Sequence, residues 1–141
     1  MDNMQILIAA LADAAVLLIT YGFAARPPQD AVQAFRTELQ ARRDFFYDGI
    51  RDAAGHVFSG EKPAGAFYAF LKIDPSWEAP SDITGDSASW RMTEFLIAKG
   101  RIGCVPGVDF GAHGEGYVRF CFARDRAELT GALESMRALF R

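Results

Sequence analysis

The order of apolar and polar residues divides the chain into seven segments with loops between them. Residues 4–25, MQILIAALADAAVLLITYGFAA, are apolar nearly all round, which predicts a helix over Ile6–Ala25 that is covered on most of its sides. Arg26-Pro27-Pro28-Gln29-Asp30 ends it, because two prolines interrupt helical hydrogen bonding and Asp30 can cap the next helix. From Ala31 to Ala54 the spacing is helical again, with Val32, Phe35, Leu39, Phe46 and Ile50 on one side and Gly55 as the stop. After the loop Ser59–Pro63, the run Gly65–Ile73 (GAFYAFLKI) predicts a central strand covered on both faces. Asp74–Gly85, with two prolines and no period, is a loop. Ser87–Lys99 predicts a helix burying Ala88, Met92, Phe95 and Leu96 and ended by Gly100. Strands are expected at Arg101–Val105, stopped by Pro106-Gly107, and at Tyr117–Ala123, with the glycine loop Gly111–Gly116 between them. A last helix starts at Asp125, where Asp125 and Glu128 have capping-box spacing, and buries Leu129, Ala132, Leu133, Met136 and Phe140.

This order predicts an α+β fold. A small mixed or antiparallel sheet carries helices mainly on one face, and an apolar N-terminal helix precedes it. The expected division is 1–29 for the apolar helix and proline break, and 30–141 for the sheet-bearing domain. Composition changes little in that picture but narrows the partners. A net charge of −3 and arginines scattered without a basic stripe exclude a nucleic-acid partner. The 4–25 segment has nearly the length of a membrane span, yet Asp13 sits in its middle and no basic residue precedes it, so neither a span nor a signal peptide is expected. A cytoplasmic location is the default expectation. Cys104 and Cys121 lie in apolar runs and read as buried reduced thiols, and His56 and His113 are too isolated to form a metal site.

Two features carry candidate chemistry. Gly111-Ala-His-Gly-Glu-Gly116 superficially resembles a phosphate-binding loop, but a strand comes after it where a helix N-terminus would be needed, so it reads as a tight turn. Arg119 stands among apolar neighbours in a strand, where an arginine needs an anion or an edge that reaches water. The residues alone leave two readings open: an ion pair with Asp109 or Glu115 at the sheet edge, or a planar fork holding a carboxylate.

The motifs, taken in order, bear on that choice. Pro63-Ala-Gly-Ala-Phe-Tyr68, a helix ending near Gly100, Val105-Pro-Gly-Val-Asp-Phe-Gly111 and Gly114-Glu-Gly-Tyr-Val-Arg119 succeed one another. Together they resemble the C-terminal small domain of fold-type I pyridoxal-phosphate aminotransferases, the aspartate aminotransferase class I/II group. Arg42-Arg-Asp44 and Gly49-Ile50 are similar to the family's helix ahead of this sheet, so the likeness runs from about Ala31 to Arg141. The resemblance implies that Arg119 holds the α-carboxylate of an amino-acid or keto-acid substrate and that Gly65 and Phe110 belong to the substrate pocket. It implies pyridoxal 5′-phosphate as the family's cofactor, held through a Schiff-base lysine. Lys62, Lys72 and Lys99 do not stand in the family's Ser-x-x-Lys context, so no catalytic or cofactor-binding residue is expected here. The chain by itself is then expected neither to bind the cofactor nor to transaminate. Two alternatives stand beside this: half of a split aminotransferase working with a cofactor-domain partner, or a homo-oligomeric structural remnant.

Overall fold

The structure is a computed structural model, and it describes residues 29–141. The expected helix over Ile6–Ala25 and the proline break lie outside the described residues. Two compact units divide the chain, residues 1–37 and 38–141, and the sheet belongs wholly to the second.

Helix α1 spans Gln29–Ala54, with Asp30 inside its first turn, where a carboxylate still complements the helix dipole. The stripe expected on this helix is buried only in its second half. Phe46 and Ile50 are buried, together with Tyr47, Ala53 and Ala54, whereas Val32 and Phe35 are exposed. A short strand β1 (Phe58–Ser59), absent from the sequence reading, pairs antiparallel with β2 (Tyr68–Ile73). β2 starts three residues later than the apolar run suggested, because Ala66 takes a left-handed backbone (φ 62°) and interrupts the extended chain.

Helix α2 (Ala88–Gly100) begins at the Ser87 cap, whose side chain accepts from the Trp90 N–H, and buries Met92, Phe95 and Leu96. Its left-handed residue is Arg101 (φ 54°), with the Arg101 and Ile102 N–H groups bonded back to Ile97 and Leu96. The expected strand over Arg101–Val105 is thereby displaced, and β3 is Val105–Pro106. Pro106 is tolerated because β3 is an edge strand, where a missing N–H costs the ladder nothing. Strand β4 (Tyr117–Cys121) and helix α3 (Arg126–Leu139) complete the chain. Asp125 caps α3 by accepting from the Glu128 N–H at 2.8 Å, while the Glu128 carboxylate turns instead to Arg124.

The sheet order is β1-β2-β4-β3 with every neighbour antiparallel. Its core face presents Ala69, Leu71, Ile73, Val118 and Phe120 to the helices. Phe120 packs against Phe46 at 5.9 Å and Phe58 at 5.7 Å, and Leu129, Leu133 and Met136 of α3, with Phe140 just after it, close the layer as the spacing predicted. The α+β arrangement with helices on one face is therefore the observed one.

Candidate functional site

Because side chains alternate across a strand, the residues of β2 and β4 that skip the core share the opposite face. The burial of β2 is strictly alternating, with Tyr68, Phe70 and Lys72 exposed. The expectation that this strand is covered on both faces is corrected accordingly. β2 is central in the sheet, yet its aromatic residues stand on an open face. There they meet Tyr117 and Arg119 of β4.

Arg119 lies opposite Phe70 on one side and Val105 on the other. Its Cζ is 4.2 Å from the centroid of the Tyr68 ring and 4.3 Å from that of Phe110. Phe70 stacks on Tyr117 at 5.0 Å and meets Phe110 edge-on at 6.2 Å. Among the described residues Arg119 takes part in no ion pair. Among the described residues the edge ion pair considered from the sequence does not form, since Asp109 pairs with no described cation and Glu115 is engaged elsewhere. Aromatic rings can satisfy the faces of a guanidinium but not its N–H donors. The arrangement therefore offers an in-plane fork of donors suited to a carboxylate or phosphate.

The glycine loop supports this site as a turn, in line with the sequence reading. Two short 3₁₀ turns, Gly107–Phe110 and Ala112–Gly114, connect the antiparallel strands β3 and β4. Gly107 and Gly114 cross so closely that a Cβ on Gly114 would lie 1.9 Å from the Gly107 carbonyl oxygen. The loop is also fixed to the start of α2. Ser89, fully buried, donates from Oγ to the Gly114 carbonyl at 3.2 Å and accepts from the Gly116 N–H at 2.9 Å and the Tyr117 N–H at 3.3 Å. The Glu115 carboxylate accepts from the Ala88 N–H at 2.8 Å. Burial pushes the Glu115 carboxyl up, but hydrogen bonds from Ser87, Ser89 and Ala88 outweigh it and hold the group below the usual carboxylate range.

Of the three residues named from sequence, the structure brings Arg119 and Phe110 together. Gly65 lies in the exposed loop before β2, and a Cβ there would meet nothing within 4 Å. The sequence reading does not single out Tyr68, Phe70 and Tyr117, because the apolar Ala69, Leu71 and Val118 beside them hide the alternation. The lysines do not converge on this face as a cofactor cradle. Lys62 pairs with Asp44 at 3.4 Å and Asp48 at 3.3 Å, Lys99 pairs with Asp82 at 2.5 Å, and Lys72 is exposed at the far end of β2. A Schiff-base lysine needs a desolvated or cation-adjacent setting, and none of the three has one. Among the described residues, then, no lysine has the setting that a Schiff base to pyridoxal phosphate needs.

Cys104 and Cys121 are free thiols, half-buried where full burial was expected. No group of metal-binding side chains occurs among the described residues, and no described helix is long and apolar enough to cross a membrane. A cleft of about 680 Å³ lies away from Arg119. It lies between the end of α2 and α3, lined by Ile102, Phe120, Arg124 and Leu129 among others.

Comparison with known proteins identifies the family and the fold. Residues 4–136 match the family described as aminotransferase class I and II. The chain is 32% identical to a probable aspartate aminotransferase of Methanocaldococcus jannaschii over 117 residues, covering 83% of this chain and 27% of that protein. Its fold superimposes on an aromatic aminotransferase from Pyrococcus horikoshii with a TM-score of 0.66 at 30% identity, covering 79% of this chain and 26% of the other. It also matches the aspartate aminotransferase from Rhizobium meliloti with a TM-score of 0.69 at 26% identity, covering 82% and 28%. The chain spans about a quarter of the length of the curated relatives it matches.

Proposed function

The chain belongs to the aminotransferase class I and II family, and on that premise we propose that residues 30–141 are its small C-terminal domain, carrying the carboxylate half of a transamination site. Arg119 is the residue that binds the α-carboxylate of an amino acid or keto acid. The observation that carries this reading is a guanidinium held over two aromatic rings with no ion-pair partner among the described residues, on the open face of the sheet. A bidentate carboxylate fills the in-plane donors that the rings leave unused. Phe110 and Gly65 belong to the same pocket, Phe110 as one wall and Gly65 as an unobstructed approach.

Pyridoxal phosphate supplies the electron sink of the family's reaction when it is bound. In this proposal its lysine and phosphate cradle come from a cofactor-bearing domain outside these residues, so the chain is inactive by itself. The exposed rings of Phe67, Tyr68, Phe70 and Phe110 favour this reading over a freestanding one, because a row of exposed aromatics marks a surface that packs against something. The protein working away from a membrane, in the cytoplasm, is part of the same proposal. Pyridoxal phosphate added to the purified chain and followed by borohydride tests it. No stoichiometric adduct at Lys62, Lys72 or Lys99 is expected by mass spectrometry, and transamination is expected only when a cofactor-bearing partner is co-expressed. A stoichiometric, cofactor-specific lysine adduct on the chain alone overturns the division of labour.

A further inference from the structure

Phe110 covers Arg119 although the ring is itself 52% exposed, so its own packing does little to hold it there. The backbone on either side fixes it. Ser89 and Glu115 join the first turn of α2 to the consecutive residues Gly114–Tyr117 through Ser89 Oγ to Gly114, Gly116 and Tyr117, and through the Glu115 carboxylate to the Ala88 and Ser89 N–H groups at 2.8 and 3.4 Å. From this junction the chain runs in one direction through the Gly107–Gly114 crossing to Phe110, and in the other directly along β4 to Arg119. Ring and guanidinium are therefore both referenced to the same helix end.

We propose that Ser89 and Glu115 are positioning residues for Arg119. They lock the loop that keeps the Phe110 ring on the guanidinium, and so fix the direction in which its N–H edge points. An arginine free of that ring samples several rotamers, and ordering it again on binding costs conformational entropy. The functional meaning rests on Arg119 being the carboxylate arginine. The orienting effect stands on the geometry alone and is measured without substrate.

Nuclear magnetic resonance of the full chain reads it directly. Ring currents from Tyr68 and Phe110, at nearly equal distances of 4.2 and 4.3 Å, displace the Arg119 side-chain resonances, which are identified by their loss in Arg119→Lys. Ser89→Ala and Glu115→Ala are each expected to reduce that displacement toward the value that Phe110→Ala leaves, by removing the share contributed by Phe110. Glu115→Gln keeps an acceptor for the Ala88 N–H and is expected to retain most of it. Leu133→Ala, which opens the core between the helices, lowers stability without moving these resonances. Should Ser89→Ala unfold the chain, Glu115→Ala, at an exposed position, still decides. Unchanged Arg119 resonances in a folded Glu115→Ala protein, with Phe110→Ala shifting them, overturn the proposal. Failure of Arg119 to bind carboxylate would leave this result standing and instead refute the function assigned to it.

Discussion

Gly114→Ala and Gly131→Ala add the same methyl group and should change stability in opposite directions. Neither glycine has a positive φ, so backbone strain does not enter and only space decides. At Gly114 the new Cβ would lie 1.9 Å from the Gly107 carbonyl oxygen and 2.5 Å from its carbon, where real Cβ contacts essentially never fall below 3.0 Å. Both obstacles are backbone atoms, so the crossing must open by about 1.1 Å, the difference between 3.0 and 1.9 Å. Gly114 also carries the carbonyl that accepts from Ser89 Oγ at 3.2 Å, so a shift of Gly114 of that size takes this bond beyond hydrogen-bonding distance. Overpacking against rigid neighbours and a weakened buried hydrogen bond together cost about 3 kcal/mol. At Gly131, within α3, a Cβ meets nothing within 4 Å, and replacing a mid-helix glycine by alanine gains about 1 kcal/mol. With about 4 °C per kcal/mol for a domain of this size, Gly114→Ala lowers Tm by roughly 12 °C and Gly131→Ala raises it by about 4 °C. Thermal unfolding followed by circular dichroism at one fixed protein concentration reads both. Equal shifts, or a Gly114→Ala protein as stable as the parent, would refute the argument that a backbone crossing shapes this loop.

Glu115→Gln should change the acid limb of stability. The Glu115 carboxyl is held below its ordinary value of 4.5 in the folded chain, so its contribution is complete above that pH and is lost as pH falls through the folded-state value. The Tm difference between parent and variant is therefore expected at neutral pH and should shrink below pH 4.5, with a pH-independent difference as the contrary result. Cys104 offers a kinetic prediction. Burial pushes its thiol from 9.0 up to about 12, partly offset by the neighbouring Thr93 hydroxyl, so the thiolate fraction at pH 8 falls about a thousandfold. Alkylation of Cys104 by iodoacetamide, followed by mass spectrometry, should be slower by that order in the native chain than in denaturant. Equal rates would show that the thiol is not shielded.

The helices were the most legible part of the fold in the sequence, because α2 and α3 bury one periodic stripe each and carry their caps in the local sequence, at Ser87 and at Asp125. β2 was legible as a strand but not in its burial. Its exposed positions hold Tyr68 and Phe70, and exposed aromatics in a strand cannot be told by composition from buried ones. The ring pair around Arg119 depends on register across β2, β4 and the turn after β3, which no local pattern fixes. The same holds for Ser89 and Glu115, which lie far apart in sequence and act as a long-range cap. Arg119 was legible as a lone arginine among apolar neighbours in a strand, whereas its expected role and the choice of Phe110 rested on the order of motifs. The half-exposed α1 shows the limit of periodicity, since Val32 and Phe35 continue the stripe of Phe46 and Ile50 and yet are not buried with it.

Under the proposed function, Arg119 holds an amino-acid carboxylate in a site completed by a cofactor-bearing domain. Steady-state kinetics of the chain co-expressed with such a domain, comparing the parent with Arg119→Ala, tests it most directly. Loss of a charge-assisted bidentate contact is worth about 3 kcal/mol, on the order of a hundredfold. The apparent KM for the amino acid is expected to rise by that factor, while the KM of an amine lacking the carboxylate stays unchanged. Equal effects on both substrates, or none on either, would contradict it.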